Sequence, residues 1–252
     1  MFLKLLPKLL SSTTEAGKVI MSLRQDGVEF DIKTDNTPIT QADKASHKLI
    51  KNSLKKLTPH IPILSEESSE IPFSVRSQWN EYWLIDPLDG TRDFIDGSPD
   101  FCISIAFIKN NYPIFGLIYA PFNNTHYYCL PNQTSTKLID NKHHKLTTSK
   151  PKRWEKIVVG RYSTNNKPLQ NHLKSKTNFE IFKLGSALKF CLIAEGLYHY
   201  YPKFSRCSEW DTAAGVSILE GAGGKVVDFM NQPLIYNSKE DNLSPAFKAT
   251  AY

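Results

Sequence analysis

WLIDPLDGTRDF, at residues 83–94, is the stretch of this sequence that decides the fold. The apolar run from Tyr82 to Ile85 predicts a strand, which leads Asp86 and Asp89 into a turn marked by proline and glycine. An unpaired buried carboxylate is costly, so two of them at the end of a strand usually have a cation between them. Carboxylate oxygens are hard ligands that suit Mg²⁺ better than a soft metal. The stretch therefore predicts a magnesium site, and a polar loop that only caps a strand is the alternative.

The composition is that of a globular protein with a slight preference for anionic partners. A chain of 252 residues can bury a core in one domain or in two closely packed ones. The net charge of +6 favours anions without choosing among nucleotides, nucleic acids and membrane surfaces. Lysine and arginine are dispersed rather than clustered, which argues against a stable nucleic-acid partner. The four cysteines have no C-x-x-C spacing, so we expect buried reduced thiols and a cytoplasmic location.

The N-terminal segment, MFLKLLPKLL at residues 1–10, has some features of a signal peptide. Lys4, Pro7 and Lys8 interrupt its apolar core, and no small-residue cleavage site follows. We therefore expect an amphipathic first helix packed on the domain. A peripheral contact of this helix with the cytoplasmic face of the inner membrane is the alternative.

The predicted elements give a mixed α/β pattern. In the first half, Thr40 begins a helix that extends to Leu57, with Asp43 as its capping-box partner. Strands are predicted at Ile61–Leu64, Cys102–Ile108, Ile114–Ala120 and His126–Leu130. The polar segment Pro131–Pro151 is the predicted boundary between two halves. The second half alternates, with strands at Ile157–Gly160, Phe179–Leu184, Leu197–Tyr201 and Val226–Phe229 and helices at Ser186–Glu195 and Asp211–Glu220.

Three acidic sites lie at predicted element ends, and packed layers can bring them into one cleft. They are Glu66, the pair Asp86 and Asp89, and Asp211 in the run WDTAAG. Four carboxylates in one cleft repel each other unless cations neutralise them. Two or three Mg²⁺ ions would do so and would leave coordination positions for a phosphate. This arrangement suits phosphate ester hydrolysis, in which one metal activates a water and another neutralises the leaving oxygen.

Neighbouring residues supply the expected proton chemistry. The Thr91 hydroxyl can orient the attacking water, and Asp43 or Glu66 can relay its proton. For Asp43 the alternative is a purely structural helix cap. We expect Glu67 to be a solvated neighbour of Glu66, and Lys33 to reach the cleft.

The motifs together resemble those of the inositol monophosphatase superfamily of Mg²⁺-dependent, lithium-sensitive phosphatases. The resemblance runs from about residue 30 to the C-terminus through SEES (65–68), WLIDPLDGT (83–91) and WDTAAG (210–215). Three further runs resemble the CysQ-type 3'(2'),5'-bisphosphate nucleotidases: TPITQAD (37–43), GSALKFCLIAEG (185–196) and YPKF (201–204). The resemblance implies a layered α-β-α-β-α sandwich that forms one catalytic unit over residues 1–252. It implies subdomains of about 1–145, with the metal site, and 146–252, on the nucleotide side.

The resemblance also implies roles for individual residues. The metals would be held by Glu66, Asp86, Asp89, Asp211 and the backbone carbonyl of Leu88. All of these except Asp86 would also contact the substrate. Gly90 and Thr91 would contact the scissile phosphate, and Ser186 and Lys189 would bind the second phosphate. The residue types agree, because a helix N-terminus with a nearby ammonium is an anion site.

Two departures from the family pattern concern substrate selectivity. Lys203 stands where the family commonly has arginine, so the charge of this substrate-binding position is kept but its planar fork is lost. The run Gly160-Arg161-Tyr162-Ser163 stands where the nucleotidases often have serine and histidine. The acidic residues Asp93, Asp96 and Asp100 are expected to be loop residues rather than ligands.

The predicted function is conversion of adenosine 3',5'-bisphosphate to AMP and phosphate, in the context of sulfate assimilation. An inositol or sugar monophosphatase with the same metal chemistry is the first alternative. A non-catalytic nucleotide- or RNA-binding protein is the second, and it would show steep salt dependence and indifference to Mg²⁺. The sequence makes no prediction of the oligomeric state.

Overall fold

Two large β-sheets organise the chain, which the computed structural model describes over residues 1–25, 28–33, 37–163 and 165–252. The α-helices are α1 (Phe2–Gln25), α2 (Gln41–Leu57), α3 (Phe73–Arg76), α4 (Thr91–Ile95), α5 (Lys167–Lys174), α6 (Leu188–Ala194) and α7 (Ala213–Gly221). The strands of the first half are β1 (Phe30–Ile32), β2 (Pro38–Thr40), β3 (Ile63–Ser65), β4 (Glu81–Asp89), β5 (Cys102–Lys109), β6 (Tyr112–Ala120), β7 (Thr125–Cys129), β8 (Thr136–Ile139) and β9 (Lys142–Lys145). Those of the second half are β10 (Glu155–Gly160), β11 (Phe179–Leu184), β12 (Tyr200–Lys203), β13 (Lys225–Asp228) and β14 (Phe247–Thr250).

The elements stack in five layers. Helices α1 and α2 cover one face of a seven-stranded sheet of order β3-β4-β5-β6-β7-β8-β9. Helices α6 and α7 lie between this sheet and a five-stranded sheet of order β11-β10-β12-β14-β13. Leu169 of α5 packs on the outer face of the second sheet, against Ile157 and Val159. The predicted mixed α+β class and α-β-α-β-α sandwich are therefore confirmed.

Strand β4 places the predicted acidic pair because it is buried on both faces. Trp83 and Ile85 point into the core under α1 and α2, whereas Tyr82 and Leu84 point into the core around α7. Burial on both sides explains why this strand is an uninterrupted apolar run rather than an alternating one. Its carboxyl end, with both aspartates, emerges at the edge of this packed region.

The strand continues further than the sequence predicts. It passes through Pro87 to Asp89 instead of ending at Ile85. Asp86 pairs with Ser104 and Asp89 pairs with Cys102, so Pro87 and Leu88 lie opposite one residue of β5 and the extra residue on β4 forms a bulge. A bulge tolerates proline because its residues are outside the regular ladder.

Helix α1 confirms the predicted packing of the N-terminus. Leu6, Leu9 and Ile20 are buried in the core, and the ring of Phe2 stacks on Phe115 at a centroid distance of 5.1 Å. The apolar face that would bind a membrane is thus used in packing, which leaves the membrane alternative without support. Among the described residues, no helix is both long and apolar enough to cross a bilayer.

The second half differs from prediction at several element ends. The predicted boundary segment contains β8 and β9, an edge hairpin whose second strand is polar and exposed and so lacks the usual strand signal. Helix α6 begins at Leu188 rather than Ser186, because Ser186 is left-handed with φ 47°. Helix α7 begins at Ala213 rather than Asp211. The sequence did not predict β1, β2, α5 or β14, which are short or largely exposed.

Candidate active site

Three of the predicted metal ligands come together in the structure. Carboxylate oxygens of Asp86, Asp89 and Asp211 all lie within 4.8 Å of one another. The bulge of β4 supplies the first two, and the turn before α7 supplies the third. The Ser208 backbone N–H donates to Asp211 at 2.9 Å and so fixes its orientation.

The electrostatics of this cluster favour a bound cation. Burial and the neighbouring acids Glu66, Asp89 and Asp211 raise the pKa of Asp86 well above its usual range. Burial, together with Asp211, raises the pKa of Asp89 from 3.8 to about 7. Crowded buried carboxylates resist ionisation unless a positive charge joins them. An all-oxygen donor set of this kind fits Mg²⁺.

Glu66 lies beside the cluster and forms an ion pair with Lys33. The Lys33 ammonium is 2.8 Å from Glu66 Oε1 and 2.7 Å from Glu67 Oε1. The prediction that Glu67 is solvated is wrong, since its side chain is only 7% exposed against 23% for Glu66. Glu67 can be buried because Lys33, the residue after β1, forms ion pairs with both acids. Burial raises the pKa of Glu66 to about 7, with Lys33 opposing and Asp211 reinforcing the shift.

Asp43 is both a helix cap and a partner of Thr91. It accepts hydrogen bonds from the Thr40 backbone N–H at 2.8 Å and from the Thr40 hydroxyl at 2.5 Å. The Thr91 hydroxyl lies 3.1 Å from Asp43 Oδ1 and 3.1 Å from the Leu88 carbonyl oxygen. Burial raises the pKa of Asp43, and the hydrogen bonds from Thr40 oppose this. The two interpretations of Asp43 are therefore compatible.

The turn at residues 184–189 joins the cluster to the second half of the chain. The Ala187 backbone N–H donates to Asp89 Oδ2 at 2.5 Å. The Lys189 ammonium donates to the carbonyl oxygens of Ser186 and, at 3.4 Å, of Leu184. Lys189 is 5% exposed, and burial lowers its pKa to about 8. Lys189 is thus a buried residue whose ammonium binds backbone carbonyls of the turn, and it does not project from the surface of a helix.

A continuous cleft runs past these residues. One part, about 370 Å³, is bordered by Asp89, Asp211, Ser186, Lys189 and Lys203. A larger part, about 1210 Å³, is bordered by Lys33 and Glu66, and both parts share Asp211, Arg92 and Arg206. The cleft therefore has an acidic centre with basic residues on either side. Thr91 and Gly90 lie next to it, at the start of α4.

The expectation that Asp93, Asp96 and Asp100 are all loop residues is wrong for Asp93, which is buried in α4, and each of the three acids has a partner from the second half of the chain. Arg161 Nε donates to Asp93 Oδ1 at 2.7 Å, and the same guanidinium donates to Asp100. The Tyr162 hydroxyl donates to Asp96 at 2.5 Å. Arg161 and Tyr162 also border the smaller part of the cleft. The sequence signal that could have predicted these contacts is the Arg-Tyr pair at 161–162, since it offers a positive charge and a hydroxyl to acidic partners.

A five-layer sandwich with a carboxylate cluster at the end of a bulged strand defines a class of metal-dependent phosphatases. The chain belongs to the inositol monophosphatase family, whose sequence profile matches residues 5–249. The family resemblance of the motifs is thereby confirmed, and with it the expectation of Mg²⁺ in general terms.

Relatives of known name cover nearly the whole chain. It is 37% identical over 240 residues to the 3'(2'),5'-bisphosphate nucleotidase CysQ of Escherichia coli (strain K12), covering 94% of this chain and 96% of that protein. It is 38% identical over 252 residues to the protein of the same name from Buchnera aphidicola subsp. Acyrthosiphon pisum, covering 98% and 94%. Among solved structures, CysQ from Bacteroides thetaiotaomicron, a member of the same family, superposes with a TM-score of 0.83 at 32% identity, covering 96% and 95%.

Proposed function

We propose that this protein is an Mg²⁺-dependent 3'(2'),5'-bisphosphate nucleotidase that converts adenosine 3',5'-bisphosphate to AMP and phosphate. The main support is the basic part of the cleft, where Lys189 and Lys203 lie beside the carboxylates Asp89 and Asp211. A substrate with one phosphate needs only the metal cluster. A second cationic group a short distance away suits a substrate with two phosphates.

The metal site in this proposal consists of Glu66, Asp86, Asp89, Asp211 and the Leu88 carbonyl, and it takes two or three ions. Bound Mg²⁺ supplies an acidified water and neutralises charge on the leaving oxygen. Glu66 becomes available as a ligand when Lys33 leaves it, since one carboxylate oxygen now accepts from that ammonium.

Thr91 and Asp43 handle the proton of the attacking water. The Thr91 hydroxyl directs its hydrogen to Asp43, which leaves its oxygen lone pair free to accept a hydrogen bond from water. The raised pKa of Asp43 makes it a better proton acceptor than an exposed aspartate. In the balanced reaction, water adds to phosphorus, the ester bond breaks, and the ribose oxygen takes up a proton.

The second phosphate lies, in this proposal, between Ser186, Lys189 and Lys203. Lys203 provides charge without the two-pronged geometry of arginine, so it attracts the phosphate without fixing its orientation. Four free, buried cysteines agree with a reducing compartment such as the cytoplasm. Removal of a by-product of sulfate assimilation is the metabolic context that we propose.

The test is phosphate release from adenosine 3',5'-bisphosphate and from inositol 1-phosphate, with and without Mg²⁺, for the wild type and Asp89→Asn. We expect a strong preference for the nucleotide that is lost in the variant. Preference for inositol 1-phosphate would keep the metal chemistry and overturn the substrate. No Mg²⁺-dependent release from either compound would favour a nucleotide- or RNA-binding protein.

A further inference from the structure

The turn at residues 185–187 has a backbone shape that its own sequence does not favour. Ser186 has φ 47°, a left-handed conformation that residues other than glycine rarely adopt. Such a conformation persists where surrounding groups hold it in place. Two such groups are Asp89, which accepts from the Ala187 N–H, and the Lys189 ammonium, which donates to the Ser186 carbonyl.

The third group is the Asp100 carboxylate, on the opposite side of the turn. Asp100 Oδ2 accepts from the Gly185 backbone N–H at 3.1 Å. A Cβ atom on Gly185 would lie 2.4 Å from Asp93 Oδ2 and 2.6 Å from the Asp100 carbonyl oxygen, so this glycine fits closely against both acids. Asp93 and Asp100 thus form the surface on which the turn lies.

Arg161 holds those two acids together. Arg161 Nε donates to Asp93 at 2.7 Å. Arg161 Nη2 donates to Asp100 and also to the Ser98 hydroxyl, which is 3.1 Å away. Both acids are buried, so removal of Arg161 would leave two carboxylates unpaired. Three contacts from one planar group fix the distance between the acids, which a lysine cannot do.

We propose that Arg161, Asp93 and Asp100 are positioning residues that set the preference for a bisphosphate over a monophosphate. They hold the turn at residues 185–187 so that Ser186 and Lys189 face the second phosphate. The inference rests on the proposed function and deepens it, because it concerns the same substrate. The residues proposed to activate water are held separately, since the side chains of Asp43 and Thr91 contact each other, Thr40 and Leu88. The turn reaches the carboxylate cluster through the Ala187 N–H, which donates to Asp89.

The decisive variant is Asp100→Ala, compared on adenosine 3',5'-bisphosphate and on adenosine 3'-monophosphate, which lacks only the second phosphate. We expect KM for the bisphosphate to rise by about tenfold with little change in kcat, as befits loss of a charge-assisted contact. We expect kcat/KM for the monophosphate to change by less than about threefold.

Asp96→Ala is the matched control. Asp96 belongs to the same acidic segment and accepts from Tyr162, yet it is exposed, and its side chain forms no hydrogen bond or ion pair with the turn among the residues that the structure describes. This variant should leave both substrates unaffected. Equal losses on the two substrates for Asp100→Ala, or no loss on either, would overturn the inference.

Two conservative variants separate positioning from simple destabilisation. Asp100→Asn keeps an acceptor for the Gly185 N–H, and Arg161→Lys keeps the charge without the fork, so each should give a smaller rise in KM than Asp100→Ala. If Asp100→Ala does not fold, as judged by its melting curve, these two variants must still show the bisphosphate-selective rise. Wild-type protein that releases no phosphate from the bisphosphate would refute the proposed function. Active wild type with no selective change in the variants would refute only the positioning role.

Discussion

The stability of the metal-free protein should fall as the pH rises, and Asp89→Asn should remove much of this fall. Burial raises the pKa of Asp89 from 3.8 to about 7, so between these pH values the folded protein holds a proton that the unfolded chain releases. A folded state that binds more protons than the unfolded state loses stability as the pH increases. The penalty is complete above about pH 7 and absent below about pH 4.

Its size follows from the same two values. At 1.36 kcal/mol per pH unit, the interval between 3.8 and about 7 corresponds to on the order of 4 kcal/mol. The hydrogen bond from the Ala187 N–H favours the charged form and is already contained in this figure. Metal-free Asp89→Asn should therefore be more stable than the wild type at pH 8, by up to about this amount, and similar to it at pH 4.

The assay is urea unfolding at pH 5 and pH 8, in a chelator and in saturating Mg²⁺. Mg²⁺ should stabilise the wild type at pH 8, because it binds the folded cluster and not the unfolded chain. It should stabilise Asp89→Asn much less. Asp31→Asn is the control, since the ion pair of Asp31 with Lys44 is exposed and lies outside the carboxylate cluster. Equal stability of the metal-free wild type at both pH values, or the same behaviour of the two variants, would contradict the raised pKa of Asp89.

Three further substitutions test other parts of the site. Lys33→Met should increase Mg²⁺ affinity, measured by calorimetry without substrate, because it removes the ammonium 2.8 Å from Glu66; lower affinity would show that Lys33 assists metal binding. Thr91→Val keeps the shape but loses the hydroxyl 3.1 Å from Asp43, so kcat should fall by about 10²-fold or more with KM nearly unchanged, and an unaltered kcat would exclude Thr91 from water activation. Gly185→Ala should raise KM for the bisphosphate, because its Cβ would lie 2.4 Å from a carboxylate oxygen; unchanged KM would show that the turn adapts freely.

Local signals in the sequence were sufficient to predict the elements that position the candidate hydrolytic residues. The capping box of Thr40 and Asp43 set the start of α2, and both hydrogen bonds of the box are present. The hairpin between β5 and β6 turns at Asn110 and Asn111, both left-handed, as asparagines at such a turn indicate. Asp86 and Asp89 were identifiable because paired acids after an apolar strand are costly without a metal.

Features that depend on distant partners could not be predicted in the same way. Asp100 pairs with Arg161 and Glu67 pairs with Lys33, in each case across a long stretch of chain. An acidic residue has the same local signal whether it is solvated or buried against an arginine from another layer. The orientation of the Lys189 side chain could not be predicted either, because it depends on the left-handed conformation of Ser186, which places the start of α6 at Leu188.

The carboxylate cluster also constrains how the protein is made. Asp86 and Asp89 are synthesised early, whereas Asp211 belongs to the last part of the chain and comes after most of the second sheet. A metal that needs all three carboxylates therefore cannot bind a nascent chain until β4 has formed and the turn before α7 has packed beside it. Such non-local closure is a late and slow event in folding. Mg²⁺ bound to these three residues would stabilise only those chains in which the residues have already come together.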